Sequence, residues 1–98
     1  MLLKKNKTLI IAEIGVNHNG SLKIAKKLIL ATKNAGADYA KFQMYFPEDL
    51  ATFNSAKANY QNKSAGKKIS QLEMLKKYSF NFAQFKIIHD YCKKQKIK

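Results

Sequence analysis

The run of residues from Thr8 to Ile14 is the feature that most constrains how this chain folds. It is rich in branched apolar residues and shows no alternation until its last positions. That pattern is typical of a strand covered on both faces. Because such strands occur in parallel sheets packed by helices, the run predicts an α/β fold built on a parallel sheet.

A helix and a second strand follow in the sequence. Apolar residues recur at spacings of three and four from Ser21 to Ala35, with Ser21 as the predicted N-cap and Gly36 as the C′ residue. Residues 37–44 then alternate, which places three side chains on one face of a second strand: Tyr39, Lys41 and Gln43. Strand, helix and strand within roughly 35 residues predict a right-handed βαβ unit.

The rest of the chain predicts one long loop and two helices. Residues 47–68 are polar and lack a sustained period, so we expect a loop with one helical turn at 56–60. Capping patterns at Ser70 and Asn81 predict a short helix through Lys77 and a second helix. The apolar side of that second helix is expected to carry Phe82, Phe85, Ile88, His89 and Cys92. Residues 93–98 are interpreted as a helix end that leads toward another strand, with Ile97 as its first sign. No third strand follows, which leaves a small sheet with bare edges.

The chain's charge limits its function classes. Its 98 residues carry a net charge of +13, and all 19 cationic residues are lysine. The absence of arginine argues against sequence-specific DNA recognition, which favours a planar bidentate donor. The lysines are spread over every segment without interleaved aromatic residues. This distribution is typical of a solvated surface, with loose attraction to acidic polymers as the alternative.

Targeting signals and cysteine usage predict a cytoplasmic protein. The longest apolar stretch, Leu9–Ala12, is too short to span a membrane, and residues 1–7 lack the apolar core of a secretory signal. The single cysteine, Cys92, agrees with a reducing compartment. Its place among lysines could activate its thiol, but its position on an apolar stripe favours a packed, inert side chain.

Several polar side chains are expected at one edge of the sheet. The C-terminal ends of parallel strands lie together, which brings the end of the first strand, with Glu13, close to Lys41 and Gln43. Two interpretations of the charged pair are open, a ligand site or a structural ion pair. The segment from Asn17 to Ser21 adds polar groups to this rim, either as an anion site or as a turn and cap.

The two histidines carry weaker signals. His18 is open to interpretation as a metal ligand, as a base, or as a loop residue with a hydrogen bond. His89 is expected to lie on a helix far from the rim, in a packing or surface role.

Three separated segments resemble the N-terminal part of the N-acetylneuraminate (sialic acid) synthase family. The first is Ile11–Ser21, with the sequence Ile-Ala-Glu-Ile-Gly-Val-Asn-His-Asn-Gly-Ser. The second is Ala35–Asp38, which leads to Lys41-Phe42-Gln43, and the third is Ser70–Leu75. The resemblance covers nearly the whole chain, from about Thr8 to Ile97, with the motifs in the family's order.

The resemblance implies a fold and an activity. Family members have a TIM (β/α)8 barrel followed by a small antifreeze-like domain, and they condense phosphoenolpyruvate with N-acetylmannosamine or a related amino sugar. They use a divalent cation, Mn²⁺ or Mg²⁺, and form homodimers. By resemblance, Glu13 is the active-site carboxylate, Lys41 holds the phosphoenolpyruvate phosphate, and Gln43 and Asn17 contact the substrate.

The length of the chain departs from the family. A TIM barrel takes about 250 residues, so residues 1–98 correspond to a βαβα N-terminal portion of the barrel. The family's metal-binding histidines lie beyond this portion, and neither His18 nor His89 is assigned to them. The portion is expected to be inactive alone. The alternative is a non-catalytic basic interaction module that binds a partner through exposed sheet edges.

Overall fold

A computed structural model describes residues 7–53 and 71–98. Within them the chain forms two strands and four helices. In chain order these are β1 (Ile11–Gly15), α1 (Leu22–Asn34), β2 (Tyr39–Phe42), α2 (Pro47–Phe53), α3 (Gln71–Tyr78) and α4 (Phe82–Lys94).

The two strands pair in parallel, as the sequence predicts. Ile11 lies opposite Tyr39, and Glu13 lies opposite Lys41. Asp38 hydrogen-bonds to Ile10 just before the two strands begin. The Asp38 carboxylate accepts a hydrogen bond from the Ile10 N–H at 2.9 Å. The Asp38 N–H donates to the Ile10 carbonyl at 2.8 Å. Both strands begin later than predicted, at Ile11 and Tyr39, and β2 ends before Gln43.

The hydrophobic core lies on one face of this sheet. Helices α1 and α4 pack against each other there, and α1 packs on both strands. The buried residues are Ile14, Ala25, Ile29, Phe80, Ile88, Cys92 and Ile97. On the strand face away from this core, Ile11 is 58% exposed. The prediction that β1 is covered on both faces is therefore wrong for the residues that the structure describes.

Both long helices begin at the predicted caps. The Ser21 hydroxyl accepts a hydrogen bond from the Ile24 N–H at 3.2 Å. Asn81 and Gln84 form a capping box with bonds of 2.8 and 2.9 Å between side chain and backbone. Each cap satisfies N–H groups that the first helical turn cannot pair internally. The predicted cap at Ser70 lies outside the described residues.

The same two helices end in the same hydrogen-bond motif. After α1, Ala37 N–H donates to the Thr32 carbonyl at 3.2 Å, and Gly36 takes a φ of +88°. After α4, Ile97 N–H donates to the Cys92 carbonyl at 3.0 Å, and Lys96 takes a φ of +59°. This is the Schellman arrangement, which favours glycine at the left-handed position. The chain has a lysine there in the second case.

The prediction of a loop from residue 47 onward needs correction. Pro47–Phe53 is a helix and not a loop, and it begins with Pro47 followed by two acidic residues, a composition that favours a helix start. This helix packs against α3, and the Lys76 Nζ of α3 lies 3.7 Å from the Glu48 Oε1. The helical turn expected at 56–60 lies outside the described residues.

The predicted apolar side of α4 is narrower than expected. Ile88 and Cys92 are buried, but Phe82 is 78% exposed. His89 is also exposed. Phe82 is the first residue of the helix.

The last two residues lie beside β2. Ile97 is buried, and the Ala40 N–H donates to the Lys98 carbonyl at 2.7 Å. Since Tyr39 N–H points toward β1 and successive N–H groups of a strand point to opposite edges, Lys98 lies at the β2 edge away from β1. None of the described helices is long and apolar enough to cross a membrane.

Replacing Lys96 with glycine is predicted to stabilise the fold. A non-glycine residue in the left-handed region costs about 1 kcal/mol, and Lys96→Gly removes that cost. We expect urea denaturation to show a gain of about 0.5–1 kcal/mol in the free energy of unfolding. The control Lys93→Gly, inside α4, should instead lose about 1 kcal/mol. Equal losses for both variants would contradict the helix-end conformation.

Candidate functional site

An acidic and a basic side chain meet where the two strands end. Glu13 and Lys41 are direct partners in the parallel register, and their side chains share one face. The Lys41 Nζ lies 2.9 Å from the Glu13 Oε2. The expectation that β1 and β2 bring these groups together is confirmed.

This ion pair is open to solvent. The Lys41 and Glu13 side chains are 64% and 55% exposed. Exposed ion pairs contribute little to stability, so neither charged group is held tightly by the other. An incoming anion can therefore compete for the Lys41 ammonium, while the Glu13 carboxylate stays available as a hydrogen-bond acceptor.

A bulge in β1 sets the shape of the space beside the pair. The register shifts between Glu13 and Gly15, so that Ile14 is an extra residue and Gly15 lies opposite Phe42. Gly15 has a φ of +57°, a conformation that side chains other than glycine resist. Ile14 points into the core, and both neighbours face the other side of the sheet.

Gln43 joins the pair through this bulge. Its N–H donates to the Gly15 carbonyl at 3.3 Å, just beyond the last residue of β2. A Cβ on Gly15 would lie 3.1 Å from the Glu13 Oε1 and 3.8 Å from the Gln43 Oε1. The missing side chain thus leaves a notch that the Glu13 carboxylate already fills in part, with the Gln43 amide beside it. Glu13, Lys41 and Gln43 lie together, as predicted.

The backbone N–H groups of the turn after β1 donate to carbonyl groups in or next to the same turn. Asn17 N–H donates to the Ile14 carbonyl at 2.9 Å, and Asn19 N–H donates to the Val16 carbonyl at 3.0 Å. The Ser21 N–H donates to the His18 carbonyl, also at 3.0 Å. These donors are not free to bind an anion, so the structure favours the turn-and-cap interpretation of Asn17–Ser21. The Asn17 residue itself is exposed on this turn.

His18 lies behind the rim and not on it. Its ring has no exposed surface, and its Nδ1 accepts a hydrogen bond from the Gly20 N–H at 2.9 Å. Burial of the ring lowers the pKa of His18. The ring is therefore neutral near pH 7. Of the open interpretations, the loop residue with a hydrogen bond fits best, although full burial was not expected.

The remaining candidate residues, Cys92 and His89, do not form a second functional site. Cys92 is buried, and burial raises the pKa of its thiol, which fits the packed interpretation. His89 lies on the exposed side of α4, beside Asp90. Across residues 7–53 and 71–98, no group of three or more histidine, cysteine or acidic side chains is placed to hold a metal ion.

Sequence reasoning missed two contributors to the site. The bulge at Ile14 and the notch over Gly15 depend on a backbone conformation that the residue types alone do not specify. A glycine directly after a strand was the available signal. The burial of His18 depends on Phe80, which is distant in sequence.

Comparisons with known proteins identify similar sequences. The NeuB family matches residues 28–98, which is more than half of the chain. The chain is 45% identical over 85 residues to the N,N'-diacetyllegionaminic acid synthase of Campylobacter jejuni, covering 85% of the chain and 25% of that protein. It is 52% identical over 54 residues to the pseudaminic acid synthase of the same species, covering 55% of the chain and 16% of that protein.

A more distant organism gives a similar result. The N-acetylneuraminate-9-phosphate synthase of Homo sapiens is 62% identical over 34 residues, which cover 35% of the chain and 10% of that protein. The chain spans a quarter or less of the length of each of these three relatives.

The notch over Gly15 gives a prediction. In Gly15→Ala the new methyl group meets the Glu13 carboxylate, and the backbone is strained as well. We expect a loss of about 1–2 kcal/mol in the free energy of unfolding, together with shifted NMR signals for the Lys41 and Gln43 amides.

Gly36→Ala is the matched control. Gly36 also has a positive φ, but a Cβ there meets nothing within 4 Å. It should lose a similar free energy from backbone strain and leave the Lys41 and Gln43 signals unchanged. The notch would be refuted if the two variants gave the same spectra at those residues.

Proposed function

Since this chain belongs to the NeuB family, we propose that it supplies the first part of a nonulosonic acid synthase barrel, and with it part of a phosphoenolpyruvate site. The relatives it matches are named as synthases of legionaminic, pseudaminic and N-acetylneuraminic acid derivatives. The proposed reaction joins phosphoenolpyruvate to N-acetylmannosamine or a related amino sugar. A new carbon–carbon bond forms, water adds, and phosphate leaves.

The observation that carries the proposal is the Glu13–Lys41 pair at 2.9 Å on the C-terminal rim of a parallel sheet. Ligands of α/β proteins bind at that rim. The Lys41 ammonium is a compact point charge that suits a phosphate group. We assign to it the phosphate of phosphoenolpyruvate.

The neighbouring groups have complementary roles in the proposal. Glu13 accepts a hydrogen bond from a ligand hydroxyl or from the attacking water, because an ionised carboxylate is an acceptor only. Gln43 can donate and accept at once, which suits a residue that orients ligand or water. Asn17, on the exposed turn after β1, offers a further amide to the amino sugar.

A barrel is the architecture that we propose for the whole protein. Helices α1 and α4 lie on one face of the sheet, and the polar rim residues lie on the other. Lys98 lies at the β2 edge opposite β1, so that a strand continuing from it would extend the sheet in sequence order. Sequential parallel strands with helices outside are what a (β/α)8 barrel requires.

The divalent cation implied by the family does not fit the described residues. They hold no group of three or more metal-ligating side chains, and the rim carboxylate Glu13 already pairs with Lys41. We propose that residues outside residues 1–98 hold it, and no step above is assigned to it. A homodimer and a cytoplasmic location are further parts of the proposal.

Phosphoenolpyruvate binding tests the role of Lys41. In an NMR titration, Lys41→Ala should weaken binding by roughly tenfold or more, because the charged contact to phosphate is lost. Lys86→Ala is the matched control. Its ammonium is also exposed, at 70%, and it also pairs with a carboxylate, Asp90, at 3.1 Å.

Both variants remove one positive charge, so the comparison separates a site from the general attraction of a basic surface. Unchanged affinity in Lys41→Ala, or an equal loss in Lys86→Ala, would count against the assigned role. Equal losses would favour the second hypothesis, a non-catalytic basic interaction module, which the exposed apolar residues Ile10, Met44 and Phe46 also favour.

A phosphate-release assay distinguishes the 98-residue chain from a complete family barrel. The 98-residue chain should release no phosphate from phosphoenolpyruvate and N-acetylmannosamine, because it spans only a quarter of its relatives' length. Joined to the rest of a family barrel, it should release phosphate only when the amino sugar is present. A colorimetric phosphate assay measures both, and release by the purified 98-residue chain would contradict the proposal.

A further inference from the structure

A buried histidine lies directly behind the rim. The His18 ring stacks on Phe80, with ring centroids 4.0 Å apart, and lies 6.1 Å from the Phe42 ring. Phe42 is the last residue of β2 and follows Lys41, so its side chain points to the opposite face of the sheet. His18 therefore lies behind the backbone segment that carries both polar residues.

The hydrogen bonding of this ring is one-sided. The Nδ1 atom accepts from the Gly20 N–H at 2.9 Å, so it carries no proton, and the proton of the neutral ring is on Nε2. The Nε2 atom is buried and has no hydrogen-bond partner among the described residues.

Packing alone does not account for a histidine here. A phenylalanine ring would fill the same aromatic surroundings without burying an unpaired polar atom, which is unfavourable. What histidine adds at this position is the Nδ1 acceptor. Its partner, the Gly20 N–H, belongs to the turn that leads from β1 to α1.

That turn connects the rim to the rest of the fold. It starts where β1 ends, two residues after Glu13, and it finishes at the Ser21 cap of α1. Gly20 packs so closely on the Lys77 carbonyl of α3 that a Cβ would overlap with it. Phe80 in turn meets Phe85 of α4 edge to face at 5.8 Å. The ring of His18 thus ties the turn to the α3–α4 junction.

We propose that His18 is a positioning residue for the rim. Its Nδ1 closes the turn of residues 16–20 and so holds the end of β1, with Glu13, in register with Lys41 and Gln43. His18 does not touch a ligand in this proposal. What the rim binds rests on the proposed function, but the positioning itself does not.

Two substitutions separate the acceptor from the ring. His18→Phe keeps a ring of similar size and removes the acceptor. His18→Asn removes the ring and keeps an acceptor, the Oδ1, near the position of Nδ1. The control is His89→Phe, since His89 is a surface residue of α4 with a 73% exposed side chain.

The measurements are amide hydrogen exchange of Gly20 and the amide NMR signals of Lys41 and Gln43. In His18→Phe, Gly20 exchange should rise by roughly fivefold or more through loss of one hydrogen bond, and the two rim signals should move. The melting temperature should stay close to that of the unsubstituted chain. In His18→Asn, Gly20 protection and the rim signals should be retained even where the melting temperature falls.

The proposal fails if His18→Phe behaves like His89→Phe at Gly20, Lys41 and Gln43. It also fails if His18→Asn loses protection as far as His18→Phe does, since the ring's packing would then hold the turn. If an asparagine variant does not fold, the ring's own ¹⁵N spectrum decides, and a proton on Nδ1 of the unsubstituted chain would overturn the proposal.

A phosphoenolpyruvate titration distinguishes this proposal from the proposed function. Where the unsubstituted chain binds phosphoenolpyruvate, His18→Phe should weaken binding and His18→Asn should restore most of it. Absence of binding to the unsubstituted chain would count against the proposed function alone, because the exchange and amide measurements still decide the role of His18.

Discussion

The parallel pairing of β1 with β2 is the constraint on which the rest of the site depends. It sets Glu13 opposite Lys41 and brings their charged atoms to 2.9 Å. Neither residue would otherwise meet the other, because a whole helix separates them in the chain. The same pairing places both strand ends at one rim, where the turn of residues 16–20 also lies.

The bulge after Glu13 adjusts this pairing to make room for a third group. One extra residue in β1 turns Ile14 into the core, and Gly15 leaves a notch between the Glu13 carboxylate and the Gln43 amide. The core side of the same region holds the His18 ring against Phe80. The polar face and the buried face of the strand ends are thus two sides of one local structure.

Much of this arrangement was predictable from the sequence, for identifiable reasons. The Ser21 cap, the Gly36 helix end and the shared face of Lys41 and Gln43 follow from local rules that act over a few residues. The parallel order predicted that Glu13 and Lys41 lie at one rim, and their contact required in addition that both side chains share one face. The missed helix at 47–53 has a proline and two acidic residues at its start, which outweighed its weak periodicity.

The rest depends on contacts between residues far apart in the chain. The burial of His18 requires Phe80, and the exposure of Ile11 reflects a sheet face that the described residues leave uncovered. The apolar run of β1 therefore predicted cover on two faces where the structure describes it on one.

A crystal structure of the chain soaked with phosphoenolpyruvate would test most directly whether the paired acid and amine form a phosphate site. We expect a phosphate oxygen within about 3 Å of the Lys41 Nζ, with the Glu13 carboxylate and the Gln43 amide facing the same molecule. Phosphoenolpyruvate bound elsewhere, or Glu13 and Lys41 on opposite faces of the sheet, would contradict it.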